Sequence, residues 1–155
     1  MTPFFTQDNI DRLEEFAIAW TGTPFAPGGA VCGPRGGASC VRLVAAGIIS
    51  CGFPLDQDEI PDAPLNRASH HVGSMMEDWL RVNPERFEEV PASEICPGDL
   101  LLIKLGIGVH HIGLALAGDR MMHTWQHMGA HVIHHTDPQM KKRIHSVFRP
   151  LKPTL

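Results

Sequence analysis

The sequence predicts an α+β fold, with N-terminal helices packed on one face of a five-stranded, mainly antiparallel sheet. Three observations lead there. Helical periodicity is confined to the first half of the chain, around residues 8–20, 40–51 and 69–80. Short β-branched or apolar runs separated by Gly and Asp turns fill the second half, at Leu100–Leu105, His110–Ala117, Arg120–Trp125, His131–His134 and His145–Phe148. Helices followed by strands, rather than alternating with them, favour an antiparallel sheet with the helices on one side. The 155 residues amount to a single domain, 1–155, long enough to build a core without disulfide staples.

Each element has its own signal. Ile10, Leu13, Ala17 and Trp20 recur at helical spacing, with Asp8 or Asn9 placed to cap the start. Gly22 to Gly37 holds six glycines and three prolines, a composition that excludes a helix or a central strand. It is a long shaped loop, and such loops in compact domains are often functional. Ser39 is a good N-cap for the run Cys40–Cys51, which Gly52 stops. Val44, Gly47, Ile48 and Cys51 share one face of that helix, and its apolar character predicts burial. Pro54, Pro61 and Pro64 keep residues 53–69 mostly in loop, and a short helix from Ser69 to Leu80 ends before Asn83-Pro84. Pro97-Gly98-Asp99 turns the chain into the first strand.

Composition excludes several classes. A formal charge of −4 and a pI near 6.2 leave no basic footprint for nucleic acid. No apolar run is long enough to span a membrane. The N-terminal stretch Met1–Phe16 lacks the basic and apolar regions of a signal peptide, so a cytoplasmic or phage-tail-associated setting is expected. Cys32, Cys40, Cys51 and Cys96 stand at irregular spacings without a CxxC pair, which reads as reduced thiols.

Cys40 is the most informative residue. It opens a helix directly after the glycine-rich loop, where unpaired amides and the positive end of the helix dipole favour a thiolate. The same amides can donate to an oxyanion. Cys51, at the far end of the same apolar face, reads as an inert buried thiol. A thiol nucleophile needs a base, and the base needs a group to orient it. In His110-His111-Ile112-Gly113-Leu114-Ala115-Leu116 alternate residues share a face. His111, Gly113 and Ala115 form the set with small residues, which predicts that the Cys40 helix approaches on that side and that His111 points toward it. A three-residue hairpin loop at Ala117-Gly118-Asp119 pairs Leu116 with Arg120, Gly113 with His123 and His111 with Trp125. His111 and His123 are then diagonal neighbours, about 7–8 Å apart at their bases, within reach of a ring-to-ring hydrogen bond. A two-residue loop would place them on opposite faces.

Taken together, Trp20-Thr-Gly-Thr-Pro-Phe25, Gly36-Gly-Ala-Ser-Cys40-Val-Arg-Leu-Val44, Pro97-Gly-Asp-Leu100, His111-Ile-Gly-Leu114 and Met122-His123 resemble, in order and spacing, the NlpC family of papain-like cell-wall peptidases. The resemblance covers about residues 16–135. It implies a papain-like fold and cleavage of an amide bond in a short peptide of the peptidoglycan type, muropeptides included. It implies Cys40 as nucleophile, His111 as general base and His123 as the residue that orients the base. Phe25, Ser39 and Arg42 are the residues expected to meet the substrate. The chain departs from the family beside the nucleophile: where members commonly carry Asp-Cys-Ser-Gly, it has Ser39-Cys40-Val41-Arg42. The aromatic usually found as Tyr is Phe25. The family's specificity for a glutamyl muropeptide is therefore not carried over, although Arg42 is able to bind a carboxylate.

Two other readings compete. Ten histidines, with pairs at 70–71, 110–111 and 134–135, invite a metal site. His123-Thr-Trp-Gln-His127 has the i, i+4 spacing of a zinc helix but lacks the glutamate of that motif, and Gly129 argues against a helix there. No metal or other cofactor is expected. His127 and His131 are read as decorating a hairpin loop, and His70 and His71 as flanking the groove or facing solvent. The second alternative is a non-catalytic peptide-binding module on the same fold.

Overall fold

The computed structural model describes residues 2–61, 70–106 and 108–154, with the backbone alone for 70–74 and 110. The expected helix start at Ser69, the loop around Pro64, and the side chains of His70 and His71 lie outside the described residues.

Helix α1 spans Asp11–Trp20 and buries Leu13, Phe16 and Ala17. It starts later than expected. Asn9 turns its side chain backward instead of capping, accepting from Thr6 N at 2.8 Å and donating to the Phe4 carbonyl at 2.9 Å. Within the glycine-rich loop a small ribbon forms, β1 (Ala30–Val31) against β2 (Gly37–Ala38). Helix α2 runs Cys40–Ser50, capped by Ser39, whose Oγ accepts from Arg42 N at 3.3 Å. Helix α3 spans His70–Arg81.

The sheet has six strands rather than five: β3 (Phe87–Val90), β4 (Leu100–Leu105), β5 (Gly108–Leu116), β6 (Arg120–Trp125), β7 (Gly129–His134) and β8 (Ile144–Pro150). A one-turn helix, α4 (Pro138–Lys141), precedes β8. The spatial order is β3-β8-β4-β5-β6-β7, and every neighbouring pair is antiparallel. The additional strand is β3. Its centre, Glu88-Glu89, has no apolar alternation to announce it, and as an edge strand it needs only one partner, β8.

Two apolar layers sandwich the sheet. Leu100, Leu102, Ile112, Leu114, Leu116, Met122 and Phe148 pack with the helices into the main core. Leu101, Ile103, Ala115, Met121 and Val147 form a smaller core on the other face, closed by Met140 of α4. The central strand β4 is therefore buried on both sides, which is why it reads as an unbroken apolar run. Helix α2 lies on the Ile112–Leu114–Leu116 face, not on the Gly113–Ala115 face that small residues suggested. The small residue that permits close approach is on the helix: a Cβ at Gly47 would stand 2.5 Å from Leu114 Cδ2 and 3.1 Å from the Phe16 ring. Gly113 instead makes room for Met121, whose Sδ would be 2.3 Å from a Cβ there.

The turn into β4 is pinned by a buried ion pair. Asp99 is 1% exposed. Arg149 of β8 grips it with two forked bonds of 2.9 Å, and its Oδ2 also accepts from Cys96 N at 2.8 Å. Beside β8 the two ends of the chain meet, through a Pro3–Leu151 bridge and bonds from Phe4 N to the Pro150 carbonyl and Lys152 N to the Thr2 carbonyl. No helix among the described residues is long and apolar enough to cross a membrane.

Candidate active site

Cys40 stands at the first position of α2 and is 8% exposed. Ser39, itself buried, spends its hydroxyl on the helix cap. The ribbon before it is held by the loop: Ala26 N bonds the Ala38 carbonyl at 3.1 Å, and Ala38 N bonds the Pro24 carbonyl at 2.9 Å. Phe25, half-buried, forms a bridge with Ala38. Arg42 is drawn to Gln57: its guanidinium donates to the Gln57 carbonyl, and Gln57 Nε2 donates back to the Arg42 carbonyl at 3.0 Å. Cys51 is buried, and burial pushes its thiol pKa up, the opposite of what a nucleophile needs.

The histidines gather on β5, β6 and β7. Leu116 pairs with Arg120, Ala115 with Met121 and Leu114 with Met122, the register of a three-residue loop. Asp119 takes the left-handed conformation, φ 58°, that closes the turn. That register brings His111 and His123 to one face, and His111 Nε2 lies 2.7 Å from His123 Nδ1. Both rings are buried. The His111 ring also stacks on Trp125, with centroids 4.6 Å apart and planes 17° from parallel. A bulge interrupts β5 beside them: Ile103 pairs with His111 but Lys104 pairs with Val109. The side chain of His110, at that bulge, lies outside the described residues.

His131 is not the loop ornament that the sequence suggested. It sits in β7 directly across from His123, with Nε2 3.1 Å from His123 Nε2 and Nδ1 2.9 Å from the Gly129 carbonyl oxygen. The alternation His123, His131 and Ile133 on paired strands was the signal that could have found it. His127 stays in the turn between β6 and β7. Among the described residues, no group of three or more His, Cys, Asp or Glu could hold a metal ion.

Burial sets the charge of this cluster. It lowers the His111 pKa to about 4, with the nearby His131 as a smaller cause. It lowers the His123 pKa to about 2, helped by His111 and His131. Both rings are therefore neutral at pH 7, each with one donor and one acceptor nitrogen.

A cysteine heading a buried helix and a hydrogen-bonded histidine pair on the antiparallel sheet define a papain-like α+β protein. Residues 37–149 match the NlpC/P60 family, and the chain belongs to it. Solved structures of the same fold include a Staphylococcus aureus NLP/P60 family protein described as similar to lipoprotein, with TM-score 0.66 and 18% identity over 98% of this chain and 45% of that one. A Bacillus cereus NlpC/P60 family protein gives 0.62 and 16% over 92% of this chain and 40% of that one. The peptidoglycan hydrolase RipB of Mycobacterium tuberculosis gives 0.61 and 18% over 96% and 69%. The chain thus spans less than half the length of the first two. No curated protein matches it.

Proposed function

We propose that the protein is a cysteine hydrolase that cleaves an amide bond in a short peptide of the peptidoglycan type. Cys40 is the nucleophile, His111 the general base and His123 the residue that orients it. The observation that carries the reading is the 2.7 Å bond between His111 Nε2 and His123 Nδ1. It occupies one nitrogen of the base and fixes the ring, leaving Nδ1 as the atom to meet a thiol. Family membership and the place of Cys40 at a helix start support the same reading. The substrate class is taken from the structural relatives that are named peptidoglycan hydrolases.

The chemistry runs in two halves. His111 Nδ1 takes the proton from Cys40 Sγ, and the sulfur attacks the carbonyl carbon. The first amides of α2 donate to the oxyanion that develops. The tetrahedral adduct expels the amine, which leaves with the proton held by His111, and a thioester remains on Cys40. Water, deprotonated by the same ring, releases the acid and restores the thiol. Because α2 packs on the other face of β5, this reading requires sulfur and ring to meet at the margin of the sheet. Cys40 lies seven residues, about 10 Å of helix, before the Gly47 contact, and the bulge in β5 beside His111 is a local bend in the strand. Trp125, stacked on His111, steadies the imidazolium that forms. Phe25, bridged to Ala38, and Arg42, two residues after Cys40, are assigned to the substrate. A substrate carboxylate reaching Arg42 would compete with Gln57 for the guanidinium.

Incubation with muropeptides and with a general dipeptide library, scored by release of new amines, tests this. Turnover of either, abolished in Cys40→Ala with the fold intact, is the expected outcome. Absence of turnover from protein whose Cys40 is rapidly alkylated by iodoacetamide would overturn the hydrolase reading.

A further inference from the structure

Three imidazoles stand in line across β5, β6 and β7, and the line ends on an atom that can only accept. His131 Nδ1 is 2.9 Å from the Gly129 carbonyl oxygen. A carbonyl has no proton to give, so His131 carries its own on Nδ1. In its neutral form that ring presents a lone pair at Nε2, 3.1 Å from His123 Nε2. His123 donates there and accepts at Nδ1, which is 2.7 Å from His111 Nε2. His111 must in turn donate from Nε2 and keep its lone pair on Nδ1.

We propose that His131 is a positioning residue of the site. Anchored on the Gly129 carbonyl, it fixes the tautomer of His123 and, through it, leaves His111 with the lone pair on Nδ1. The inference rests on the reading of His111 as the base for Cys40. Its effect is to remove the tautomer in which the base offers a proton to the thiol instead of accepting one. A wrong tautomer in this role is costly even when geometry is intact.

The anchor is itself held firmly. Gly129 has φ +69°, and a Cβ there would stand 2.6 Å from the Thr23 carbonyl oxygen. Ala130 N bonds that same carbonyl at 2.8 Å, and Gly22 N bonds the Ala130 carbonyl at 2.9 Å. The loop that leads to Cys40 therefore grips the turn that orients the three rings. Neutrality of His111 and His123 follows from burial, which holds both well below the ordinary histidine range.

The test is nitrogen-15 NMR of the histidine rings in the full chain at neutral pH, which distinguishes Nδ1–H from Nε2–H, together with the rate of Cys40 alkylation by iodoacetamide. Wild type should show His131 protonated on Nδ1 and His111 on Nε2. His131→Gln, whose side-chain oxygen can accept from His123, should keep the His111 tautomer and most of the alkylation rate. His131→Leu should mix the His111 tautomers and slow alkylation on the order of tenfold. His111 protonated on Nδ1 in wild type, or an unchanged His111 tautomer in folded His131→Leu, would overturn the proposal. If the tautomers behave as described but alkylation is indifferent to His111→Ala, the relay stands and the hydrolase reading falls.

Discussion

At the scale of single residues, the buried histidine pair makes two demands on the protein. The first concerns the reaction. On the proposed mechanism, His111→Ala removes the base and should reduce turnover about 10²–10⁴-fold. His123→Ala should cost less, because water or a neighbouring amide can take the vacated hydrogen bond to His111 Nε2. Comparison of kcat for the two variants checks the order, and an equal or greater loss in His123→Ala would show that it does more than orient. The second demand concerns stability. The rings have their pKa values lowered from 6.5 to about 4 and about 2 in the folded protein. The unfolded chain takes up protons near 6.5, which the folded chain refuses. Stability is thus fully present above that pH and is lost as pH falls toward 4. The slope approaches about 1.4 kcal/mol per pH unit for each histidine. Urea midpoints measured between pH 7.5 and 4.5 should fall steeply, and His111→Gln should flatten the curve.

At the scale of elements, the reading of β5 shows what a sequence pattern carries and what it leaves open. The hairpin register was legible because Ala117-Gly118-Asp119 fits a three-residue turn, and that register alone places His111 beside His123. The face on which α2 lies was not. Both the Ile112–Leu114 set and the Gly113–Ala115 set are compatible with a packed helix, and the choice rests on Gly47, a helix residue whose partner cannot be read locally. His131 was missed for a related reason: its strand begins at Gly129, a residue that reads as loop until its contact with Thr23 is known. The docking of α2 on Leu114 leads to a specific expectation. Gly47→Ala adds a methyl where 2.5 Å separates the site from Leu114. It should destabilise by about 1–3 kcal/mol through overpacking, despite the helix propensity of about 1 kcal/mol that alanine adds over glycine. Thermal or urea denaturation would show it, and Gly47→Ala combined with Leu114→Val should recover part of the loss.

At the scale of the whole molecule, the class of fold came from order along the chain, helices and then strands, and the proposed catalytic set came from a cysteine at one junction and a histidine in the next half. The edge strand β3 escaped, since Glu88-Glu89 carries no alternation. So did the ion pair that joins distant parts of the sheet, because Asp99 and Arg149 are far apart in sequence and neither has a local signature. Arg149→Ala would leave the Asp99 carboxylate, 1% exposed, with the Cys96 amide but without its cation. A loss of about 3 kcal/mol or more is expected, seen as a lowered denaturation midpoint. Asp99→Asn with Arg149→Leu should be milder than Arg149→Ala alone.

The bonds that stitch Thr2 to Lys152 and Phe4 to Pro150 have a topological consequence. A segment attached before residue 2 and another attached after residue 152 would leave the surface side by side, both at the end of β8. The fold could therefore sit within a longer polypeptide like a bead on a loop, with its two neighbours brought together rather than held apart. By the same geometry, a short linker joining the two ends would close the chain into a ring. That ring could be reopened at the exposed bend near Gly28 with little strain on the sheet.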